Sequence, residues 1–252
     1  MSIQNKYEIH VKPRLSRYIL VDYDNLVKSV GGVHFNLEVT LNHIVNALNS
    51  KTDFFADVDH IEDVAIRLYG GWYEEKQLTR MAQETQSEIR SLMGNIFSVA
   101  SGGKVNIKVE LALSMMATRG RALYATCRQR DLSEAIDVPS PSCCEPSHPH
   151  FEYLREVLRV GKCSNCGRNL LARAFKVQVQ KMVDAMIFCD CVQLASEDMM
   201  TALVSADSDM IPVLISLSQS DHRVYHVWPP NQRDELKFVW DLLGRNYVKV
   251  EW

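Results

Sequence analysis

No stretch of this sequence approaches the roughly 20 consecutive apolar residues that span a bilayer, so no membrane partner is expected. The first residues, MSIQNKYEIHVKPRLSR, lack the apolar core of a secretory leader, and a cytoplasmic protein is expected. Neither sign of charge dominates: 28 Lys and Arg stand against 31 Asp and Glu, for a net charge of −3. That balance excludes a wholly basic nucleic-acid coat, but not a protein in which an acidic centre offsets cations that hold phosphate. Cysteine is sparse and odd in number, at 7, with no secretory context. A disulfide framework is therefore not expected, and the cysteines read as reduced thiols and metal ligands. Internal repeats and low-complexity tracts are missing as well.

What is present is ordinary globular material, 46% hydrophobic and 23% charged, in a chain of 252 residues. That exceeds a typical single domain of roughly 100 to 200 residues, and the natural reading is one α/β domain with a sizeable insertion. The chain is organised around ALVSADSDMI, residues 202 to 211, where an apolar run breaks abruptly on Asp207 and Asp209. Ala202 to Val204 suit a strand covered on both faces, and Pro212 suits the first turn of a following helix. YILVDYDNL, residues 18 to 26, repeats the pattern with Asp22, Asp24 and Asn25. Ligands of open α/β sheets bind outside the carboxyl ends of the strands. Two such ends side by side would bring Asp22, Asp207 and Asp209 close enough that they cannot all ionise cheaply without a cation. Carboxylates and an amide oxygen are hard ligands, which favours Mg²⁺ or Mn²⁺ over Zn²⁺. The plainer reading of each acid is a helix cap or turn residue.

Between these segments, apolar spacing predicts a helix over 37 to 48, a buried strand over 64 to 69 and a helix over 74 to 93 opened by Glu74 and Glu75. Trp72 and Tyr73, at the end of that strand, are wall residues or a surface on which a base stacks. VNIKVELAL, residues 105 to 113, alternates weakly, and 122 to 127 resembles another strand. Arg119, Arg121, Arg128 and Arg130 track a phosphate backbone or form a solvated face. After Ile136 the composition shifts to VPSPSCCEPSHPH, followed by Cys163-Ser-Asn-Cys166-Gly167. A C-x2-C-G turn with a second Cys/His group about twenty residues away is a zinc signature. The preferred ligand set is Cys144, His148, Cys163 and Cys166, with Cys143 and His150 as neighbours able to replace their counterparts.

FKVQVQ, residues 175 to 180, alternates like a strand, and KMVDAMIFCDCVQLA after it is helical. Lys181 and Asp184 face one way from the first turn of that helix. Asp190 projects elsewhere and reads as a structural acid, and Cys189 and Cys191 read as core. RVYHVW, residues 223 to 228, is the last expected core strand, followed by a helix over 234 to 243 and a short extended YVKVEW.

Together ILVDYDNL, KMVDAMIFCD and LVSADSDMIPVL, followed by a strand and a helix carrying Leu236 and Asp241, resemble the NYN branch of the PIN-like nuclease superfamily. The resemblance covers the core strands but not 104 to 174. It implies a Rossmann-like (PIN-like), mostly parallel sheet flanked by helices, with an inserted zinc-binding β-rich element. The domain would be discontinuous, 1 to 103 with 175 to 252, around an insertion at 104 to 174.

The family's D-x-x-N falls on Asp22 and Asn25, its K-x-V-D on Lys181 and Asp184, and its S-G-D-S-D on Ser205 to Asp209. Ala206 stands where the family has glycine, which a negative φ permits and a positive φ would strain. By this resemblance Asp22, Asp184, Asp207 and Asp209 hold Mg²⁺ or Mn²⁺, Asn25 orients a ligand, Lys181 offsets charge, and RNA is the expected substrate; Trp72 and Tyr73 at the rim make a single strand the expected form.

Two alternatives come from other classes. In a haloacid dehalogenase-type phosphatase Asp22 would be the nucleophile of a D-x-D motif, but RLYGGWY lacks the Ser or Thr expected after strand two. A non-catalytic nucleic-acid-binding module would keep the fold and the zinc element alone.

Overall fold

The computed structural model describes residues 17–30, 35–92, 96–118, 121–124, 126–131, 176–180, 182–230 and 239–252. Its main sheet is seated on β1 (Arg17–Asp22), whose six residues are all buried. Successive residues of β1 point to opposite faces. Ile19 and Val21 enter one core with Leu41, Ile44 and Ile89, whereas Tyr18 and Leu20 enter another with Ile187, Val213 and Leu217. A strand buried on both faces favours apolar residues on each, which is why Tyr18 to Val21 read as a continuous run between the buried charged ends Arg17 and Asp22. Each fully buried Ile, Leu or Val contributes about 1.5–3 kcal/mol.

The chain leaves β1 through α1 (Tyr23–Val30) and α2 (Leu37–Lys51) to β2 (Ile61–Tyr69). Asn36 caps α2, its side chain accepting from the Val39 amide at 2.9 Å. A short hairpin, β3 (Tyr73–Glu74) with β4 (Gln77–Leu78), precedes α3 (Arg80–Leu92), β5 (Ile96–Ser98) and β6 (Lys104–Leu111). Strands β7 (Cys127–Asp131) and β8 (Lys176–Gln180) follow. The second half of the main sheet is β9 (Met200–Val204), β10 (Val224–Trp228) and β11 (Tyr247–Glu251), with α4 (Val183–Ser196) before β9 and α5 (Ile211–Gln219) before β10.

The order across the seven-stranded sheet is β11-β10-β9-β1-β2-β6-β5. Every pairing is parallel except β5 with β6. From β1 the chain builds outward through β2 and β6, then returns and builds the other way through β9, β10 and β11. The order therefore reverses between β1 and β9, and the carboxyl ends of those two strands are the switch point at which open α/β sheets bind ligands. The expected α/β fold with a mostly parallel sheet and flanking helices is present.

Several elements differ from expectation. The helix expected from residue 74 begins at Arg80, because Glu74 and Gln77 pair across a tight turn in which Glu75 takes φ 55°. Thr79 then caps α3, its Oγ1 accepting from the Ala82 amide at 3.2 Å. The segment 105 to 113 was assigned to the insertion, yet β6 pairs with β2 from Ile61↔Lys104 to Leu68↔Leu111 and belongs to the main sheet. The strand expected at 122 to 127 lies at Cys127–Asp131, where it pairs with β8 and, through Cys127, with Glu74. Strands β4, β3, β7 and β8 form a separate four-stranded sheet. YVKVEW supplies the edge strand β11, so RVYHVW is not the last strand of the core. Of the helix expected over 234 to 243, residues 234–238 lie outside the described residues, and Trp240–Leu242 form a 3₁₀ turn. No described helix is long and apolar enough to cross a membrane.

Candidate metal centre at the strand switch

Asp22 ends β1 and is buried. Both of its oxygens are held: Oδ1 accepts from the Asn25 amide at 3.3 Å, and Oδ2 accepts from the Ser205 hydroxyl at 2.9 Å. Ser205 follows β9, is itself buried, and accepts at the same Oγ from the Asp207 amide at 3.0 Å. The Asn25 side chain reaches the same loop, its Oδ1 accepting from the Ala206 amide at 3.1 Å. The two strand ends are thus laced together through Ser205 and Asn25. Ala206 is not among the residues with positive φ, so alanine in the glycine position carries no backbone strain.

Asp207 caps the 3₁₀ turn Ser208–Met210, accepting from the Asp209 amide at 3.0 Å. Asp184 sits in the first turn of α4, after Met182, which takes φ 61°. One carboxylate oxygen each from Asp22, Asp184 and Asp207 lie within 4.8 Å of one another. At that separation, with an effective dielectric of about 20, each ionised pair repels by about 3 kcal/mol.

That repulsion is visible in the acidities. Burial pushes the Asp22 carboxyl up to about 7, the Ser205 and Asn25 hydrogen bonds pull it back, and the charges of Asp184 and Asp24 push it further up. Asp184 is also raised, first by burial and then by Asp207, Asp209 and Asp24, with Lys28 opposing. Carboxyls raised by burial and by one another at a strand switch make this a candidate functional site.

Of the acids expected to hold metal, the structure brings together Asp22, Asp184 and Asp207. Asp209 is exposed and stands outside that triad, acting on it as a neighbouring charge. Asn25 braces the loop, its amide oxygen accepting from the Ala206 amide. Lys181 lies outside the described residues, as do Arg119, Cys144, His148, Cys163 and Cys166.

Asp24 is a further acid of the site. Its Oδ2 accepts from the Gly71 amide at 3.3 Å, which ties α1 to the end of β2, and burial raises its carboxyl while Gly71 and Lys28 lower it. Lys28 follows Asp24 by four residues on α1, an ion-pair spacing legible in the sequence once the segment is read as helix rather than as the end of a strand.

Trp72 cannot stack a base. It is 1% exposed and donates from Nε1 to the Leu68 carbonyl at 2.8 Å. The accessible aromatic pair is Tyr73 with the exposed Tyr124, edge to face at 5.1 Å.

The donor set suits a small hard cation. Adjacent oxygens around an octahedral Mg²⁺ lie about 3 Å apart and opposite ones about 4 Å. A carboxylate triad spanning no more than 4.8 Å meets that geometry after a small adjustment. All three donors are oxygens, as Mg²⁺ and Mn²⁺ prefer.

Asp190, by contrast, is structural as expected. It is buried and accepts from Arg67, from the Tyr69 hydroxyl and from the Met116 amide, each at 2.7 Å. Cys191 is core, whereas Cys189 is exposed. Comparison of the chain with protein-family models, with curated proteins and with solved structures returned no match.

Proposed function

We propose that the protein is a divalent-metal-dependent nuclease that hydrolyses phosphodiester bonds, with single-stranded RNA as its substrate. The observation that carries this reading is the convergence of Asp22, Asp184 and Asp207 at the β1/β9 switch. A Mg²⁺ or Mn²⁺ ion held there supplies Lewis acidity toward the phosphodiester and toward the attacking water. The chain's own residues prepare the place. Ser205 and Asn25 hold the Asp22 carboxylate in one orientation, so its charge faces the crevice without reorganisation. Asp184 and Asp207 complete the donor set from two other elements. Lys28 stands beside Asp24 and Asp184, where a cation offsets the charge of an approaching phosphate.

The choice of RNA and of the NYN/PIN-like family rests on ILVDYDNL, KMVDAMIFCD and LVSADSDMIPVL. Tyr73 and Tyr124 give unstacked bases a surface at the carboxyl edge, which favours a single strand over a duplex.

Labelled single-stranded RNA, single-stranded DNA, duplex RNA and a phosphomonoester, each incubated with Mg²⁺, Mn²⁺ or chelator, test the reading. Metal-dependent cutting of single-stranded RNA is expected, falling at least about 100-fold in Asp184→Asn and Asp207→Asn. Cleavage that survives chelation, or an unchanged rate in either variant, refutes it. Faster cutting of the duplex removes the single-strand preference.

A further inference from the structure

We infer that His226 is a positioning residue for the carboxylate centre, acting through Ser205; the inference rests on Asp22, Asp184 and Asp207 being ligands of a divalent ion. His226 lies in the middle of β10, in VYHVW, where all five residues are buried, and it is 1% exposed. An imidazole in such a place is costly unless both nitrogens are partnered. Both are: Nε2 lies 2.7 Å from the Ser205 carbonyl oxygen and Nδ1 lies 3.0 Å from the Tyr247 hydroxyl. A carbonyl oxygen only accepts, so Nε2 carries the proton. The Ser205 carbonyl thereby fixes the proton on Nε2, and the Tyr247 hydroxyl partners Nδ1.

Ser205 is where this contact matters. The β9 ladder ends at Val204, paired with Val21 on one side and Val227 on the other, so Ser205 is the first residue beyond it. His226 holds Ser205 by its carbonyl. The Ser205 hydroxyl reaches Asp22 and the Asp207 amide, touching two of the three residues of the triad. A line of hydrogen bonds therefore crosses four adjacent strands, from the Tyr247 side chain on β11 through the His226 ring on β10 to the Ser205 carbonyl after β9, and from the Ser205 hydroxyl to Asp22 on β1. Rotation of the Ser205 peptide would pull the Asp207 amide from Oγ and the Ala206 amide from Asn25. His226 opposes that rotation without touching the ion, as partners of metal ligands commonly do.

The test is Mn²⁺ binding by titration calorimetry on the full chain, with thermal unfolding in chelator to establish that each variant is folded. His226→Phe keeps a ring and removes both nitrogens, and it should weaken Mn²⁺ binding by about 10-fold or more, the range seen when such outer partners are lost. His226→Gln carries an amide N–H the same number of bonds from Cα as Nε2, and it should restore binding to within a few-fold of wild type. Tyr247→Phe removes the hydroxyl that partners Nδ1 and should give a smaller loss, which keeps the test open if the Phe variant fails to fold. Wild-type affinity in both His226→Phe and Tyr247→Phe overturns the inference, as does an equal loss in His226→Gln and His226→Phe, since packing would then explain the effect. Failure of the wild type itself to bind Mn²⁺ removes the metal centre, and the inference with it.

Discussion

Replacing Asp22 by Asn should stabilise the metal-free protein at alkaline pH while abolishing its response to metal. Below its ordinary value of 3.8 the carboxyl is protonated in both the folded and the unfolded chain and contributes nothing. Between 3.8 and about 7 the unfolded chain ionises while the folded chain keeps its proton, so folded stability falls as pH rises. The loss accrues at about 1.4 kcal/mol per pH unit and reaches about 4 kcal/mol above pH 7.

Asparagine removes this penalty at nearly constant shape. Its Oδ1 still accepts from the Asn25 amide, and its Nδ2 donates to Ser205 Oγ, which has two lone pairs for it and for the Asp207 amide. Turning the Ser205 proton away costs about 1 kcal/mol. The net gain at pH 8 is about 3 kcal/mol, or about 6–12 °C in Tm for a chain of this size. At pH 5 most of the wild-type penalty is gone, and the gain should vanish. Magnesium at about 100 times its Kd should stabilise the wild type by about 2.7 kcal/mol and leave the variant unmoved. Scanning calorimetry at pH 5 and pH 8, with chelator and with Mg²⁺, reads all four conditions. A variant less stable than wild type at pH 8 in chelator would refute the reasoning, because the Asp22 charge would then be stabilising rather than held at a cost.

Asp190→Ala leaves the Arg67 guanidinium short of its buried partner, and a loss of about 3–5 kcal/mol is expected by denaturant unfolding; a loss under about 1 kcal/mol would show the network to be dispensable. Met182→Gly relieves a left-handed residue that is half exposed, and should raise stability by about 1 kcal/mol; a drop would mean that its side chain packs. Elemental analysis of protein purified without added metal should find about one zinc per chain, lost together in Cys163→Ser and Cys166→Ser, and folded protein without zinc would reduce the C-x2-C-G turn to free thiols.

The parts of the fold legible in the sequence were those where burial on two faces forces a continuous apolar run: β1, β2 and β9 announce themselves, and the abrupt carboxylates after β1 and β9 marked the crevice. Elements whose pattern is set by partners elsewhere in the chain were harder to read. β6 alternates because only the face carrying Val105, Ile107, Val109 and Leu111 packs on the core, a pattern a strand of an insertion would share. Glu74 and Glu75 suit a helix start on charge alone, but pairing of Glu74 with Gln77 and with Cys127 draws the segment into the second sheet. Trp72 at a strand end is equally compatible with a platform and with a core, and only its hydrogen bond to Leu68 decides between them.

At the site, residue types foretold the acids but not the connections among them. The Asn25 oxygen accepts from the Ala206 amide across 181 residues of sequence, a contact that its residue type alone does not announce. His226 left one signal, a polar ring in the middle of VYHVW. A buried imidazole in a central strand requires partners, and the partners pointed to Ser205.

The most direct test of the metal centre is the anomalous difference map of a crystal soaked in Mn²⁺. A peak about 2–2.5 Å from one carboxylate oxygen each of Asp22, Asp184 and Asp207 is the predicted result. A map with no peak at the β1/β9 crevice at millimolar Mn²⁺, with the three carboxylates ordered, would contradict it.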